Sequence, residues 1–324
     1  MAHEIDLSAA RPSIAYAGEV PWHGLGQRLS PDAPLDVWLR EAGLQWEVWR
    51  AAATFKDMGS VTHDVGRDVL YRSDTKSPLG IVSREGYHPV QPREVIQFFA
   101  DLVGTAGFSM EVAGALRAGK RIWALARVGP DCFVRRDDAI APFLLLSTSY
   151  DGSAATTAQL TTIRVVCSNT LSAASMEHLN RVSTYHSKAF NAEQVKWQLG
   201  LVRHTFALMM KRIEALAERQ VSVAEVDALL RGVVPQRTNT SERDPVDEVR
   251  ASRAYQSILG LFDGDQMGAE MASVKGTAWG LVSAVTQFVD HSYGRTADTR
   301  MSGAWFGDGN LMKVRAFQLA GELL

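Results

Sequence analysis

The pattern of apolar and polar residues reads as strand-like through Trp46–Phe55, Arg67–Arg72 and Leu79–Arg84. In the last of these, Leu79, Ile81 and Ser83 fall opposite Gly80, Val82 and Arg84, the spacing of a strand with two different faces. Pro89 and Pro92 bracket the entry to a helix over Arg93–Val103, with an apolar stripe of Val95, Phe98, Phe99 and Leu102. Phe108–Leu116 and Arg121–Val128 read as strands joined by Arg117-Ala118-Gly119-Lys120, a hairpin turn in which Gly119 takes a positive φ. On the second of them Ile122, Ala124, Ala126 and Val128 form one face, and Arg121, Trp123, Leu125 and Arg127 the other. The pattern predicts a core-facing side and a side that presents cations around an aromatic ring. Phe143–Ser149 is a further apolar strand. The turn Tyr150-Asp151-Gly152-Ser153 leads into a long strand, Ala155–Val166, rich in β-branched residues such as Thr156, Thr157, Thr161 and Ile163.

After Asn169 the pattern turns helical. Val195, Leu199, Val202, Phe206, Met209, Ile213 and Leu216 recur in steps of four and three through Glu193–Arg219. Such a heptad seam suits an intramolecular helical hairpin or bundle better than a zipper between chains. Helices over Val223–Arg231, Val246–Phe262, Thr277–Asp290 and Leu311–Glu322 follow, with an exposed polar loop at 235–245. The first 43 residues read as irregular, punctuated by Pro12, Pro21, Pro31 and Pro34, apart from a short helix at Leu35–Ala42. The expected fold is α+β: a mostly antiparallel sheet with a flanking helix in the N-terminal half, and a helical C-terminal half. Sequential strands joined by tight turns argue against a doubly wound parallel sheet, which needs helical crossovers. Three stretches result: an irregular segment at 1–44, an α+β core at 45–175 and a helical region at 176–324.

Composition narrows the class. The 324 residues are 46% hydrophobic and 22% charged with a formal charge of −2, so a large core can form and a broadly basic coat is excluded. Residues 1–20 hold Glu4, Asp6, Arg11 and Pro12 without a continuous apolar stretch, and windows such as Phe143–Leu146 are too short to span a bilayer. The expectation is a cytoplasmic protein that does not engage a membrane. Cys132 and Cys167 are too few for a disulfide framework and read as reduced thiols.

Catalytic signatures are absent: there is no phosphate loop, strand-anchored GxGxxG, His-Glu-x-x-His or Gly-x-Ser-x-Gly. None of the eight histidines forms an i, i+4 pair, and His291 at a helix end suits the negative end of the dipole. Catalytic residues, metal ligands and cofactors are therefore all expected to be none. Cys167 with His178 or His186 could form a nucleophile and base, against the alternative of an inert thiol ending the strand Val165-Val166-Cys167. The charge distribution is more informative. Arg117, Lys120, Arg121, Arg127, Arg135 and Arg136 stand against the single Asp131 in residues 117–136, interleaved with Trp123 and Phe133. Arg164 lies within the apolar run Ile163-Arg164-Val165 and needs an anion, a carboxylate or solvent. A polyanion tracked along a sheet uses this inventory. The alternative is a solvated hairpin, with Arg164 paired to a structural carboxylate such as Asp151.

Three phrases carry a family resemblance. Val20-Pro21-Trp22-His23-Gly24-Leu25-Gly26 and Arg164-Val165-Val166-Cys167-Ser168-Asn169-Thr170-Leu171 come first. Thr277-Ala278-Trp279-Gly280 follows, with Asp290-His291 and Trp305-Phe306-Gly307. In this order they resemble the phage/plasmid-like protein family, whose main domain is one of unknown function, and imply residence in a phage, prophage or plasmid. The order of helix, hairpin, further strand and helix-rich tail is also similar to the Rad52-like and Red-beta-like single-strand annealing proteins. That resemblance implies a homo-oligomer that holds single-stranded DNA in a basic groove, beside a phage exonuclease as possible partner. The groove residues would be Arg117, Lys120, Arg121, Arg127 and Arg164, with Trp123 or Tyr150 stacking on bases. The expected function is a phage-encoded, oligomeric single-stranded DNA-binding or annealing protein in the host cytoplasm, independent of metal and nucleotide. The alternatives are a phage hydrolase or nucleic-acid-modifying enzyme using Cys167, and a protein that binds a host factor.

Overall fold

A computed structural model describes residues 5–6, 11–18, 25–106, 108–164, 169–172, 181–184, 202–235, 245–294 and 297–324. Its fold is α+β, with a largely antiparallel sheet and a helical C-terminal half. Two compact units share the chain in alternating pieces: 1–129, 143–159 and 181–200 form the first, and 130–142, 160–180 and 201–324 the second.

In the first unit the strands are β1 (Ile14–Ala17), β2 (Gln27–Leu29), β6 (Ser109–Leu116) and β7 (Arg121–Arg127), with residues 143–149 of β9 (Asp138–Ser149) and 156–159 of β10 (Thr156–Arg164). They pair in the order β2-β1-β6-β7-β9-β10, and β12 (Arg181–Thr184) adds to β10. All of these pairs whose register is described are antiparallel except β1 with β2. Helix α2 (Pro92–Ala106) packs on β6 and β7 through the buried Val95, Ile96, Phe98 and Phe99. The Thr-rich strand is explained by cross-strand hydroxyl pairs: Ser147 with Thr157 at 3.1 Å and Thr148 with Thr156 at 2.8 Å, all buried. Each hydroxyl satisfies the other where water is excluded.

A second sheet in this unit is formed by β3 (Val48–Lys56), β4 (Thr62–Arg72) and β5 (Pro78–Ser83), antiparallel in that order. At its root Arg72 is buried, bonded to Asp6 and Asp74 and lying over the Trp46 ring at 4.5 Å. Burial works against the Arg72 charge, but the Asp74 and Asp6 carboxylates outweigh it and hold the guanidinium firmly protonated.

The N-terminal segment is less irregular than its prolines suggest. β1 is only four residues long, too short to show alternation, and becomes a strand because β6 and β2 pair with it on either side. Helix α1 (Leu35–Glu41) follows as expected. The expectation of pure helix after Asn169 is also corrected, since β11 (Asn169–Ser172) and β12 pair antiparallel with the two halves of β10.

In the second unit β8 (Cys132–Val134) pairs with residues 138–140 of β9, and β11 with 161–164 of β10. The helices are α3 (Val202–Glu218), α4 (Val223–Val233), α5 (Pro245–Arg250), α6 (Arg253–Gly260), α7 (Ala278–His291), α8 (Ala297–Phe306) and α9 (Asp308–Gly321). The heptad residues Met209, Ile213 and Leu216 are fully buried within this unit, where α3 packs on α7 and β8. This described part of the seam therefore serves the bundle. Val195, Leu199 and most of the 235–245 loop lie outside the described residues. The helix expected over Val246–Phe262 is divided, because Ser252 caps the start of α6 by accepting from the Tyr255 N–H. No described helix is long and apolar enough to cross a membrane.

Helix α7 is the centre of the second unit, buried at every position from 278 to 290. The residues that carry the C-terminal resemblance build it. Thr277 caps the helix through the Gly280 N–H, and a Cβ at Gly280 would stand 1.9 Å from the Val274 carbonyl oxygen. Trp279 Nε1 and Ser273 Oγ donate to the buried Asp138 at 3.1 and 3.0 Å. Near the other end Asp290 pairs with the buried Lys313 of α9 at 2.8 Å. These motif residues are therefore the framework of the unit's core.

Candidate nucleic-acid interface

The hairpin predicted between β6 and β7 forms as expected, with Leu116 opposite Arg121 and Gly119 at φ 89°. A side chain there would be strained and crowded. Beyond the positive φ, an added Cβ would lie 3.0 Å from Trp46 and 3.2 Å from the Arg72 guanidinium. Arg117 (φ 53°) and Ala118 (φ 56°) precede it in the same left-handed region, and Arg117 is exposed at the tip. Lys120 is half-buried beside it.

The face expected to present cations around Trp123 is covered. Every residue of β7 from Arg121 to Ala126 is buried, because both faces of this central strand meet other layers. Arg121 donates to Ser153 Oγ at 3.1 Å. Burial pushes the Asp151 carboxyl up, but hydrogen bonds from Ser153 and the nearby Arg121 charge bring it below the usual range. Trp123 is 3% exposed and Tyr150 fully buried, its hydroxyl donating to the Val90 carbonyl at 2.7 Å. Burial drives the Tyr150 phenol well above its ordinary value. Neither ring offers a face on which a base could stack. Arg127 is held by Glu111 at 3.2 Å and lies over the Phe143 ring. Arg164 pairs with Asn169 through the backbone, and its side chain lies outside the described residues, as do Cys167, His178 and His186.

Among the described residues, Arg121, Trp123 and Tyr150 thus line no open groove. The cations of the segment that reach solvent stand on hairpin tips instead. In the first unit the fully exposed one is Arg117, with Lys120 and Arg127 half-buried. In the second it is Arg135 and Arg136, exposed in the turn between β8 and β9 at φ 46° and 76°. Phe133, 56% exposed, stands two residues before Arg135. A non-glycine residue in this region costs about 1–2 kcal/mol, and such turns prefer Asn-Gly. Three arginines are held where the backbone disfavours them. Arg135, Arg136 and Phe133 are absent from the groove expected from the sequence, although the short stretch between Val134 and Asp138 that holds the two arginines signals a turn.

Other chemistry has less behind it. Among the described residues no group of three His, Cys, Asp or Glu side chains could hold a metal ion. The half-buried Cys132 thiol is pushed up by burial and by Asp131 and Glu214, away from a nucleophilic thiolate. An open cleft of about 390 Å³ in the first unit is lined by Trp46, Glu47, Gln91, Arg93 and Glu94. Its polar groups are spent internally: Gln91 on the Val48 backbone, Arg93 on Asp36, and Glu94 on the Gln91 N–H.

Comparison with known proteins gives a family without an activity. No curated protein and no solved structure matches the chain. Residues 78–312, more than half of the chain, match a domain of unknown function, DUF932, and the chain belongs to that family.

Proposed function

We propose that this chain is a phage- or plasmid-encoded protein that binds single-stranded DNA and promotes annealing. The reading rests chiefly on one observation: the exposed cations of residues 117–136 stand on hairpin tips in a strained backbone conformation. Such residues persist only where their surroundings compensate, and the β8–β9 turn keeps Arg135 and Arg136 where Asn-Gly would be less strained, which suits a role for their guanidinium groups. The β8–β9 tip presents two guanidinium groups, whose planar forks suit bidentate contact with phosphate oxygens. Phe133 supplies an accessible ring for a base, the part that Trp123 and Tyr150 do not play. Held through its phosphates, a strand keeps its base edges free to sample a complement. No nucleotide or metal is needed for this step, because the free energy comes from released counterions and from pairing between strands.

The test is fluorescence anisotropy with a labelled single-stranded oligonucleotide across a salt series, with a complementary strand added to follow annealing. The wild type should bind with an affinity that falls steeply as salt rises. Arg135→Glu with Arg136→Glu should weaken binding and flatten the slope by about 0.7 for each phosphate that is no longer neutralised. An affinity or slope that the substitutions leave unchanged overturns the assigned tips, and absence of binding at low salt overturns the function.

A further inference from the structure

Segments distant in sequence meet beneath the Arg117 tip, all of them within the first unit. The Asp6 N–H donates to the Ala115 carbonyl at 3.0 Å, and the Ala115 N–H donates to the Ser13 carbonyl at 2.9 Å. Ile5 bridges to Leu116, so residues 5–13 hold the end of β6 just before the turn. On the far side of the turn the Tyr150 N–H donates to the Lys120 carbonyl at 2.9 Å. Trp46 and Arg72 pack against the turn itself, 3.0 and 3.2 Å from the point where a Cβ of Gly119 would stand. Arg72 joins these pieces. Its Nε and Nη2 donate to the two oxygens of Asp74 at 2.9 and 2.7 Å, and its Nη1 donates to Asp6 Oδ2. Ser13 Oγ donates to the same Asp6 oxygen at 3.3 Å, and the guanidinium lies flat against the Trp46 ring.

We propose that Arg72 is a positioning residue for the Arg117 tip: braced between Asp6 and Asp74, it holds the Arg117–Gly119 turn left-handed and so fixes where the Arg117 guanidinium stands. The consequence for binding rests on the reading of that guanidinium as a phosphate contact; the brace itself does not. Four-residue hairpin loops are most often built around a right-handed type I turn. The loop between Leu116 and Arg121 is left-handed at Arg117, Ala118 and Gly119 instead. Its local bonds, Gly119 N–H to the Leu116 carbonyl and Lys120 N–H to the Arg117 carbonyl, do not choose the hand, because turns of either hand make such bonds. The packing beneath the loop does, since a backbone in a sparsely populated region persists only where its surroundings over-determine it. Arginine suits the place. Its planar fork serves two carboxylates while lying on an indole, and an ammonium group would bring the charge without the fork. Residues 5–6 are coupled to the tip through the same guanidinium.

Hydrogen exchange and fluorescence anisotropy on the full chain test it. Asp6→Asn keeps the volume and leaves Arg72 with Asp74, whereas Arg72→Lys keeps the charge without the fork. Each should speed exchange of the Gly119 and Lys120 amides roughly tenfold or more, the loss of one hydrogen bond between charged groups, while amides of α2 stay protected. Asp74→Asn, at a side chain 44% exposed and so compatible with folding, should speed the same two amides. In single-stranded DNA binding, Arg117→Gln should flatten the salt slope of the wild type by about 0.7 and change nothing further in the Asp6→Asn chain. Arg135→Glu with Arg136→Glu should weaken both chains alike, which a general loss of structure would not allow. Unchanged exchange at 119 and 120 in the folded Asp6→Asn or Asp74→Asn chain overturns the proposal. So does an Arg117→Gln effect of equal size with and without Asp6→Asn. A wild type that binds no DNA overturns the function proposed above, and the exchange of the two amides then decides the brace by itself.

Discussion

Lys313→Met removes the cation of the Asp290–Lys313 pair. The ammonium donates to Asp290 Oδ1 at 2.8 Å, and the two side chains are 1% and 5% exposed. Methionine keeps most of the volume, so the loss is chiefly electrostatic: the Asp290 carboxylate stays buried without its cation. Breaking such a pair costs about 3–5 kcal/mol. At about 2–4 °C per kcal/mol for a unit of this size, the melting midpoint should fall by roughly 6–20 °C. Replacing both residues, Lys313→Met with Asp290→Leu, removes the uncompensated charge and should recover most of the loss. The pair has a pH signature as well. Burial lowers the Lys313 pKa more than Asp290 raises it, so the folded state binds this proton less tightly than the unfolded chain. Stability from this group should therefore rise as pH climbs from the lowered folded value towards 10.5. Lys313→Met should lack that rise. Differential scanning calorimetry across neutral and alkaline pH measures both effects. A single variant melting within about 1 kcal/mol of the wild type, or a double variant no better than the single, refutes the reasoning.

Other sites are open to shorter tests. Gly280→Ala places a methyl 1.9 Å from the Val274 carbonyl oxygen at the start of α7 and should destabilise the second unit by about 3 kcal/mol or more, read by thermal melting. Arg135→Asn with Arg136→Gly gives the β8–β9 turn residues that accept a positive φ. It should stabilise the protein by about 1–2 kcal/mol in chemical denaturation while weakening single-stranded DNA binding, a trade expected only if the arginines are kept for function. Asp227 is held below the usual carboxylate range, first by Arg250 and also by Tyr255 and Arg231. Its contribution is present above the unfolded value of 3.8 and disappears as pH falls through the lowered folded value. Asp227→Asn should therefore make the acid unfolding transition shallower, as followed by circular dichroism.

Much of the fold is legible in the pattern of residues because its causes are local. The alternation in Leu79–Arg84, the stripe of α2, the Gly119 turn and the steps of four and three in α3 each state a period, and a period specifies an element. Elements set by their neighbours are less legible. β1, β11 and β12 are four residues each, too short to state a period, and β1 takes its β6 partner from far along the chain, a cause that leaves almost no local trace. The candidate interface divides in the same way. Residue identities in 117–136 disclose a local excess of cations, and the hairpin that carries Arg117 follows from turn chemistry.

Which of those cations meet solvent was settled by layers that the chain assembles from distant segments. Alternation along β7 distinguishes two faces, but it cannot say whether a second layer closes over the polar one. In the folded chain Arg121, Trp123 and Tyr150 are enclosed, while Arg135 and Arg136 stand out on a tip. By itself the sequence determined the elements, the turns and the place where positive charge accumulates, because backbone sterics and side-chain period act over a few residues. Exposure was decided by tertiary structure alone, because burial belongs to a residue's surroundings and those come from far along the chain.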